Sequence, residues 1–207
     1  LSNNWIYSLS EDREGDLWIC TKGGLNRFIR NENRFQRIHY VTGYARDVTK
    51  YPYDAIVSAS GEILINTPPV LTKYNPGKGT FTHFTSALEY DGSVKDNRIP
   101  LMEDSDGMIW MGSTRGFACF DRKSKTFLYF LTDPGLKNAI SDNSITALFE
   151  DRQGYIWAGT ANGLNRYDKK TGQFKAYYNE PDNSFSLSHN FIRSVVQDNT
   201  GSFWIGT

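Results

Sequence analysis

Carboxylates are the side chains of this sequence whose types and spacing could support catalysis. Three glutamates, Glu11, Glu103 and Glu150, recur at one position of a repeating pattern. Two carboxylates can serve as the acid and base of a glycosidase. A position that recurs in successive repeats is better explained by folding, and Asp54 is a lone carboxylate at another position. We therefore predict no catalytic residue in this chain.

Histidines and cysteines are too dispersed to form a metal site. His39, His83 and His189 lie in different repeats without the spacing of metal ligands. We predict no metal and no cofactor. Cys20 and Cys119 occupy different positions of repeats two apart, which predicts two small buried thiols rather than a disulfide.

The charge balance argues against nucleic acid and anionic membranes as partners. Lys and Arg total 23, as do Asp and Glu, so the formal net charge is zero and no basic field exists to attract polyanions. No apolar run reaches the length of a membrane span. We expect membrane attachment only through a longer parent chain, because both ends fall inside the repeating pattern.

Internal repetition is the most specific signal in the sequence. Five anchor glycines are spaced 46 or 47 residues apart, at Gly15, Gly61, Gly107, Gly154 and Gly201. Three residues after them stand Trp18, Leu64, Trp110, Trp157 and Trp204. Three residues before them stand Asp12, Ser58, Asp104, Asp151 and Asp198. This register holds without a gap around each glycine, so each repeat is one structural unit.

Each repeat has the pattern of four short strands. In the fourth repeat they are expected at Ile145–Glu150, Tyr155–Thr160, Gly163–Tyr167, and from Gln173 to about residue 178. Four strands per unit of about 45 residues, separated by Asp, Gly and Asn turns, are typical of a propeller blade. The predicted fold is an all-β propeller fragment with four complete four-stranded blades and half of a fifth. The predicted blades span residues 1–46, 47–93, 94–140 and 141–187, with a partial blade at 188–207.

Pro100 tests this assignment, because it aligns with Ser8, Ala147 and Ser194 in the first strand of its repeat. A proline is disfavoured in a central strand. The first strand of a blade lines the central channel and leaves one edge unpaired, so we expect the proline there.

The segment from Asp104 to Trp110 resembles the Asp-box turn of sialidase propellers, where the box is a structural turn on the face away from catalysis. We predict that the repeated Asp, Gly and Trp residues make the fold. Arg27, Lys73 and Arg166 also recur at one position, which predicts a structural role between blades.

The repeat resembles that of the two-component regulator propeller family. The resemblance rests on Ser141–Ile145, Leu148–Asp151, Gly154–Thr160 and Gly163–Asp168, and the first repeat matches nearly as well. It implies the periplasmic sensor region of a hybrid two-component system of the Bacteroides type, an inner-membrane protein with a histidine kinase and a receiver. It also implies that the blades predicted here are part of a seven-bladed ring. Many such proteins sense oligosaccharides. The second repeat departs most, with Ser58, Leu64 and Pro68-Pro69.

Segments outside the repeated pattern are the best candidates for ligand binding, because function concentrates on such loops. They are roughly residues 41–50, 86–96, 132–142 and 179–188, and we expect them to share one face with the turns between second and third strands. Aromatic rings stack on sugars, and planar polar groups bond to hydroxyls or carboxylates. The candidate ligand-binding residues are Tyr44, Arg46, Tyr51, Tyr53, Tyr90, Arg98 and Arg115. Each also has a structural interpretation; Tyr53, for example, aligns with Tyr7 and can pack in its strand.

Three functions remain open. The first is a sensor segment that binds an oligosaccharide or positions a dimer. The second is a propeller enzyme, such as a polysaccharide lyase or glycosidase, and the third is a scaffold for dimerisation. An incomplete ring should expose the apolar flanks of its first and last blades, so we predict either self-association or a longer parent protein.

Overall fold

The computed structural model describes residues 1–39, 52–88, 99–136 and 138–207, and every regular element in these residues is a strand. The strands of the first two sheets are β1 Ile6–Glu11, β2 Leu17–Thr21, β3 Gly24–Ile29, β4 Arg34–Ile38, β5 Asp54–Val57, β6 Ile63–Thr67, β7 Val70–Asn75 and β8 Thr80–Thr85. The remaining strands are β9 Leu101–Glu103, β10 Ile109–Gly112, β11 Phe117–Asp121, β12 Thr126–Phe130, β13 Ile145–Glu150, β14 Ile156–Thr160, β15 Gly163–Asp168, β16 Gln173–Tyr177, β17 Ser194–Gln197 and β18 Phe203–Gly206.

Consecutive strands pair into five antiparallel sheets, four with four strands and one with two. This confirms the predicted all-β blades, and the strands of the fourth blade match their expected positions within about one residue. The chain divides into two compact units, residues 1–103 and 104–207. The boundaries drawn between blades from the sequence stay predictions.

The repeated Asp and Trp make one hydrogen-bonded device. In the fourth blade, Asp151 Oδ1 accepts from the backbone amides of Gln153 at 2.9 Å and Tyr155 at 3.0 Å. Its Oδ2 accepts from Trp157 Nε1 at 2.7 Å. Gly154 closes the turn at φ +82°, where a side chain would be strained. The Asp therefore fixes the hairpin and satisfies the indole N–H of a core residue.

The same device recurs wherever both residues are present. Indole donates to carboxylate at 2.8 Å in three further pairs, Trp18 to Asp12, Trp110 to Asp104 and Trp204 to Asp198. In the second blade both residues change together. Ser58 Oγ accepts from the amide of Glu62 at 3.1 Å and shares a hydrogen bond with Ser60 Oγ at 2.9 Å. The buried Leu64 has no side-chain N–H that needs an acceptor.

Neighbouring sheets stack through these tryptophans. In the first unit, Trp18, Cys20 and Leu25 of the first sheet form a buried cluster with residues of the second. Those residues are Ala55, Ile63, Ile65 and Tyr74. In the second unit, Trp157 lies 4.8 Å from the ring of Phe203 in the two-stranded sheet. The apolar core is therefore a series of sheet-to-sheet interfaces.

Pro100 lies directly before β9, which begins at Leu101, so its predicted place inside the strand is wrong. The proline has no N–H for a ladder, and pairing begins one residue later. The amide of Leu101 donates to Asp54 Oδ2 at 2.9 Å.

Both cysteines are buried free thiols, as the sequence predicted. Burial raises the pKa of Cys119 to about 12.

A double-mutant cycle tests the Asp–Trp device. Asp151→Ser should lower the free energy of unfolding by about 1–3 kcal/mol, because it leaves the indole N–H without its acceptor. Combined with Trp157→Leu, which recreates the second blade, the loss should fall short of the sum of the single losses by about 1 kcal/mol. Denaturant unfolding provides the measurement. Strict additivity of the two substitutions would contradict the device.

Candidate functional site

The turns between second and third strands and the loops between sheets lie together at one end of each sheet. Antiparallel pairing requires this within a blade, and backbone hydrogen bonds confirm it. In the second unit, Gly116 donates to the carbonyl of Asn143 at 2.9 Å and Gly163 to that of Asn190 at 2.7 Å. In the first unit, Ser86 donates to the carbonyl of Pro69 at 2.8 Å. We call this the loop end, and the end carrying the Asp turns the turn end.

A hydroxyl shapes the loop-end hairpin in three blades. Ser113 Oγ donates to the carbonyl of Gly116 at 2.8 Å and accepts from the amide of Arg115 at 3.0 Å. Thr21 and Thr160 make the same pair of bonds in their own hairpins. The second blade instead has a cis peptide bond between Pro68 and Pro69 in this turn. Its loop end therefore differs in backbone shape from the others.

A serine–asparagine lock holds the loop that leads into the fourth blade. Buried Asn165 accepts from the amide of Ser141 at 2.9 Å, and its Nδ2 donates to Ser141 Oγ at 2.8 Å. In the first blade, Asn26 and Ser2 form the same two bonds, both at 2.8 Å. The sequence interpretation missed this lock, although the recurrence of Ser and Asn at matching positions of the first and fourth repeats was the signal for it.

Only two of the seven candidate ligand residues fall in the described part of the chain. Tyr44, Arg46, Tyr51, Tyr90 and Arg98 lie outside the described residues. Tyr53 is buried, with its ring 5.3 Å from that of Tyr7, and Ile99 completes the cluster. Arg115 is exposed at the tip of its loop-end hairpin. The structure therefore places Arg115 at the predicted surface and Tyr53 in the packing beneath.

Side chains on the first strand of a blade accept hydrogen bonds from the backbone of the first strand of the next blade. Ser8 Oγ accepts from the amide of Ala55 at 3.2 Å, and Asp54 does the same for Leu101. Burial raises the pKa of Asp54, although hydrogen bonds from Leu101, Ser8 and Ala55 oppose the rise. Asp54 is therefore a structural acceptor that carries an electrostatic cost when ionised.

The recurring glutamates accept hydrogen bonds at the turn end. Glu150 accepts from the amide of Ser105 at 2.6 Å, and Glu103 accepts from that of Ala59 at 2.7 Å, each in the preceding sheet. Lys169 lies 2.8 Å from Glu150, 2.5 Å from Asp106 and 3.3 Å from Asp104. Partial burial disfavours its charge, but these carboxylates outweigh that effect and raise the pKa of Lys169. These contacts support the structural interpretation of the glutamates.

The recurring basic position acts within a blade, so the predicted role between blades is wrong. Arg27 Nε lies 2.9 Å from Asp16, and Lys73 Nζ lies 2.8 Å from Glu62. Arg166 lies 4.3 Å from the centre of the Tyr155 ring. Each partner stands on the paired second strand or directly before it, where cross-strand geometry brings it within reach.

A cleft of about 530 Å³ opens at the turn end between the first two sheets. Its walls include Asp12, Arg27, Glu62 and Pro76. The equivalent cleft of the second unit has about 290 Å³, since Lys169 occupies the position of Pro76. No aromatic side chain lines the larger cleft, so it offers no flat surface on which a sugar ring could stack.

The described residues contain no helix long and apolar enough to cross a membrane. They also contain no cluster of three or more His, Cys, Asp or Glu side chains placed to hold a metal ion.

The family model of the two component regulator propeller matches residues 1–23, 139–162 and 186–207, about a third of the chain. The match confirms the resemblance drawn from the first and fourth repeats and extends it to the fifth. Two of these repeats contain the serine–asparagine lock, and in the second and third repeats Thr72 and Ala118 replace its asparagine. The chain is thus a β-propeller segment, and three of its stretches match the two component regulator propeller model.

Solved structures share this fold. The extracellular domain assigned to a hybrid two-component system of B. thetaiotaomicron aligns with a TM-score of 0.74 and 22% identity, over 100% of this chain and 26% of that one. A second such domain from the same organism aligns with a TM-score of 0.58 and 21% identity, over 100% of this chain and 33% of that one. Virginiamycin B lyase from Staphylococcus aureus aligns with a TM-score of 0.69 and 13% identity, over 97% of this chain and 62% of that one. The chain spans about a quarter to a third of these two extracellular domains, and no curated protein matches it.

Removing the lock should loosen the loop before the fourth blade. In Asn165→Ala the amide of Ser141 loses its acceptor, while alanine is already present at the equivalent position of the third blade, Ala118. We expect faster hydrogen exchange across residues 141–144. Asn199→Ala, which changes an exposed asparagine, is the control. Unchanged exchange at Ser141 in the Asn165 variant would refute the lock.

Ionisation of Asp54 should reduce stability. Because its folded-state pKa lies above the ordinary value of 3.8, its favourable contribution is present below that value and is lost as pH rises through the folded pKa. Asp54→Asn should therefore be more stable than the parent at pH 7, and the difference should shrink towards pH 4.

Asp121→Asn is the matched control with the opposite sign. Hydrogen bonds from Lys123 and Ser124 lower the pKa of Asp121, so its contribution is present at neutral pH and lost on acidification. Denaturant unfolding across this pH range measures both variants. The same pH trend in both would rule out the role assigned to Asp54.

Proposed function

We propose that this chain is part of the periplasmic sensor region of a two-component signalling protein and that its loop end binds the signal. The match of three repeats to the two component regulator propeller carries this proposal. The fold shared with extracellular domains assigned to hybrid two-component systems supports it. The membrane-spanning and kinase parts belong to the proposed parent protein.

The proposed ligand is an oligosaccharide. Tyr44, Arg46, Tyr90 and Arg115, which belong to the non-repeated segments and hairpin tips, offer stacking surfaces and planar hydrogen-bond donors. Arg115 is exposed there on a hairpin whose backbone is fixed by Ser113. A donor held on a rigid hairpin loses little entropy when it binds a ligand.

A lyase or glycosidase is the weaker candidate. Likeness to virginiamycin B lyase at 13% identity concerns the fold alone. The carboxylates considered for catalysis bind protein groups, Asp54 the amide of Leu101 and Glu150 both Ser105 and Lys169. Because these carboxylates are engaged by the protein itself, the contacts favour a ligand-binding protein over an enzyme.

Calorimetry with neutral xylo- and manno-oligosaccharides and acidic galacturonan and chondroitin oligosaccharides tests the proposal. We expect one oligosaccharide class to bind, and Arg115→Ala to weaken its binding by about tenfold, equivalent to about 1.4 kcal/mol. Lys170→Ala, an exposed cation at the turn end, should bind as the parent does.

The other functions give different results. Binding by a full sensor region but not by this segment would favour the scaffold function. Chromatography that reveals cleaved product after incubation would favour an enzyme. Equal weakening by both substitutions would contradict a site at the loop end.

A further inference from the structure

Two clefts at the turn end occupy the same place in the repeat. The larger cleft, of about 530 Å³, lies between the first two sheets, and the smaller cleft, of about 290 Å³, lies in the second unit. Eight residues line the smaller cleft, and the residues at the same eight repeat positions line the larger cleft. The walls of each cleft are two complete sheets that follow each other along the chain. The clefts therefore differ in their side chains and not in their place.

The same contact holds the two sheets together at each cleft. Trp18 lies 5.9 Å from Tyr74 of the next sheet, and Tyr74 stacks on Phe81 at 4.5 Å. In the second unit the corresponding distances are 5.6 Å and 4.8 Å, for Trp110, Tyr167 and Phe174. Residues at matching positions therefore face equivalent spaces in the two clefts.

The smaller cleft holds an ammonium group that belongs to the chain itself. Lys169 Nζ lies 2.5 Å from Asp106, 2.8 Å from Glu150 and 3.3 Å from Asp104. Two of these carboxylates come from the preceding sheet and one from the sheet of the lysine. Charged hydrogen bonds of this kind are stronger than neutral ones. Lys169 thus shows which chemical group the position accepts.

The larger cleft lacks this ammonium group. Pro76 stands at the repeat position of Lys169, and Val57 stands at that of Glu150. The second sheet has therefore lost the cation together with the carboxylate that its own strand supplied. Val57 and Pro76 both line the larger cleft, where they provide an apolar wall in place of the ion pair.

The first sheet retains both of its acceptors, Asp12 and Glu14, at the positions of the two carboxylates that bind Lys169 from the preceding sheet. Asp12 Oδ2 accepts from the indole N–H of Trp18 and lies 3.7 Å from Arg27 Nη2. Within the described part of the chain, the carboxylate of Glu14 makes no hydrogen bond or ion pair, and its side chain is exposed.

The two arginines of the larger cleft are engaged elsewhere. Arg27 Nε lies 2.9 Å from Asp16, and its guanidinium lies 5.3 Å from the centre of the Trp18 ring. Arg13 donates to the carbonyl of Ala59 at 2.6 Å. Neither arginine therefore takes the place of the missing ammonium, and a negative charge is left in the cleft.

We propose that the larger cleft binds a primary alkylammonium group from outside the chain, in the place that Lys169 fills in the second unit. Asp12 and Glu14 accept its hydrogen bonds, and the alkyl stem lies along Val57 and Pro76. A free alkylamine and a lysine side chain of a partner protein both present this group. The site lies at the opposite end of the sheets from the proposed oligosaccharide site and is independent of it.

NMR of the indole N–H groups tests this site, because Trp18 donates to Asp12 and reports on that carboxylate. The probes are n-butylammonium and Nα-acetyl-lysine amide, with uncharged 1-butanol as the control, at neutral pH and low ionic strength. We expect both amines to shift the Trp18 signal saturably, with millimolar dissociation constants. The Trp110 signal should stay in place, because Lys169 already occupies the cleft beside its acceptor, Asp104. Tighter binding of acetyl-lysine amide would assign the site to a lysine side chain, and tighter binding of butylammonium to a free amine.

Three variants locate the binding. Glu14→Gln should weaken it about fivefold, because the amide carries no charge to attract the ammonium. Asp182→Asn, which removes an exposed carboxylate outside the cleft, should bind as the parent does. Pro76→Lys should abolish binding, since it places the chain's own ammonium in the cleft.

Four results would each overturn the proposal. They are the absence of a saturable Trp18 shift with either amine, an equal response to 1-butanol, unchanged affinity in the Glu14 variant, and undiminished binding in the Pro76 variant. Because the Glu14 side chain is exposed, its substitution leaves the fold intact and the test remains decisive. Oligosaccharide binding at the loop end is measured separately, so failure of one proposal is distinguishable from failure of the other.

Discussion

The stacking of a tryptophan on the aromatic pair of the next sheet is the contact on which the rest of the structure depends. Burying an indole requires an acceptor for its N–H, because an unpaired buried donor costs about 1–3 kcal/mol. The Asp of the preceding turn supplies that acceptor through Oδ2, and its Oδ1 closes the turn. Core packing and hairpin geometry are therefore coupled in one residue pair, and the second blade changes both members together.

Charge at the turn end is balanced differently in different blades. In the first blade, Arg27 on β3 pairs with Asp16 and lies 3.7 Å from Asp12. The third blade has Cys119 at the position of Arg27, and there Lys169 from the following sheet reaches Asp104 instead. Most polar groups at this end thus maintain the fold. The oligosaccharide site that we propose lies at the opposite end, the loop end, where residues can vary without disturbing these contacts.

The repeat predicted the strands and the turn chemistry, because those features are encoded by residues that recur at fixed spacing. Pro100 was misplaced by one residue, since alignment gives a position in the repeat but not where hydrogen bonding begins. Arg27 was assigned to the wrong neighbour for a related reason. Recurrence indicates a structural role, whereas its partner depends on cross-strand register and side-chain reach.

The site was less predictable than the fold. The residues proposed to bind ligand were chosen because they do not recur, so no internal comparison constrains their geometry. Tyr53 shows the consequence, as its ring packs on Tyr7 beneath the surface while Arg115 stands at a hairpin tip.

Hydroxyl-radical footprinting read by mass spectrometry tests the stacking contact most directly, because it measures the solvent access of each tryptophan separately. In dilute solution, Trp5 and Trp204 should react quickly, and Trp18 and Trp110 should be strongly protected, as their exposures require. Rates for Trp18 or Trp110 as fast as that of Trp5 would contradict the account, since those rings could not then lie between stacked sheets.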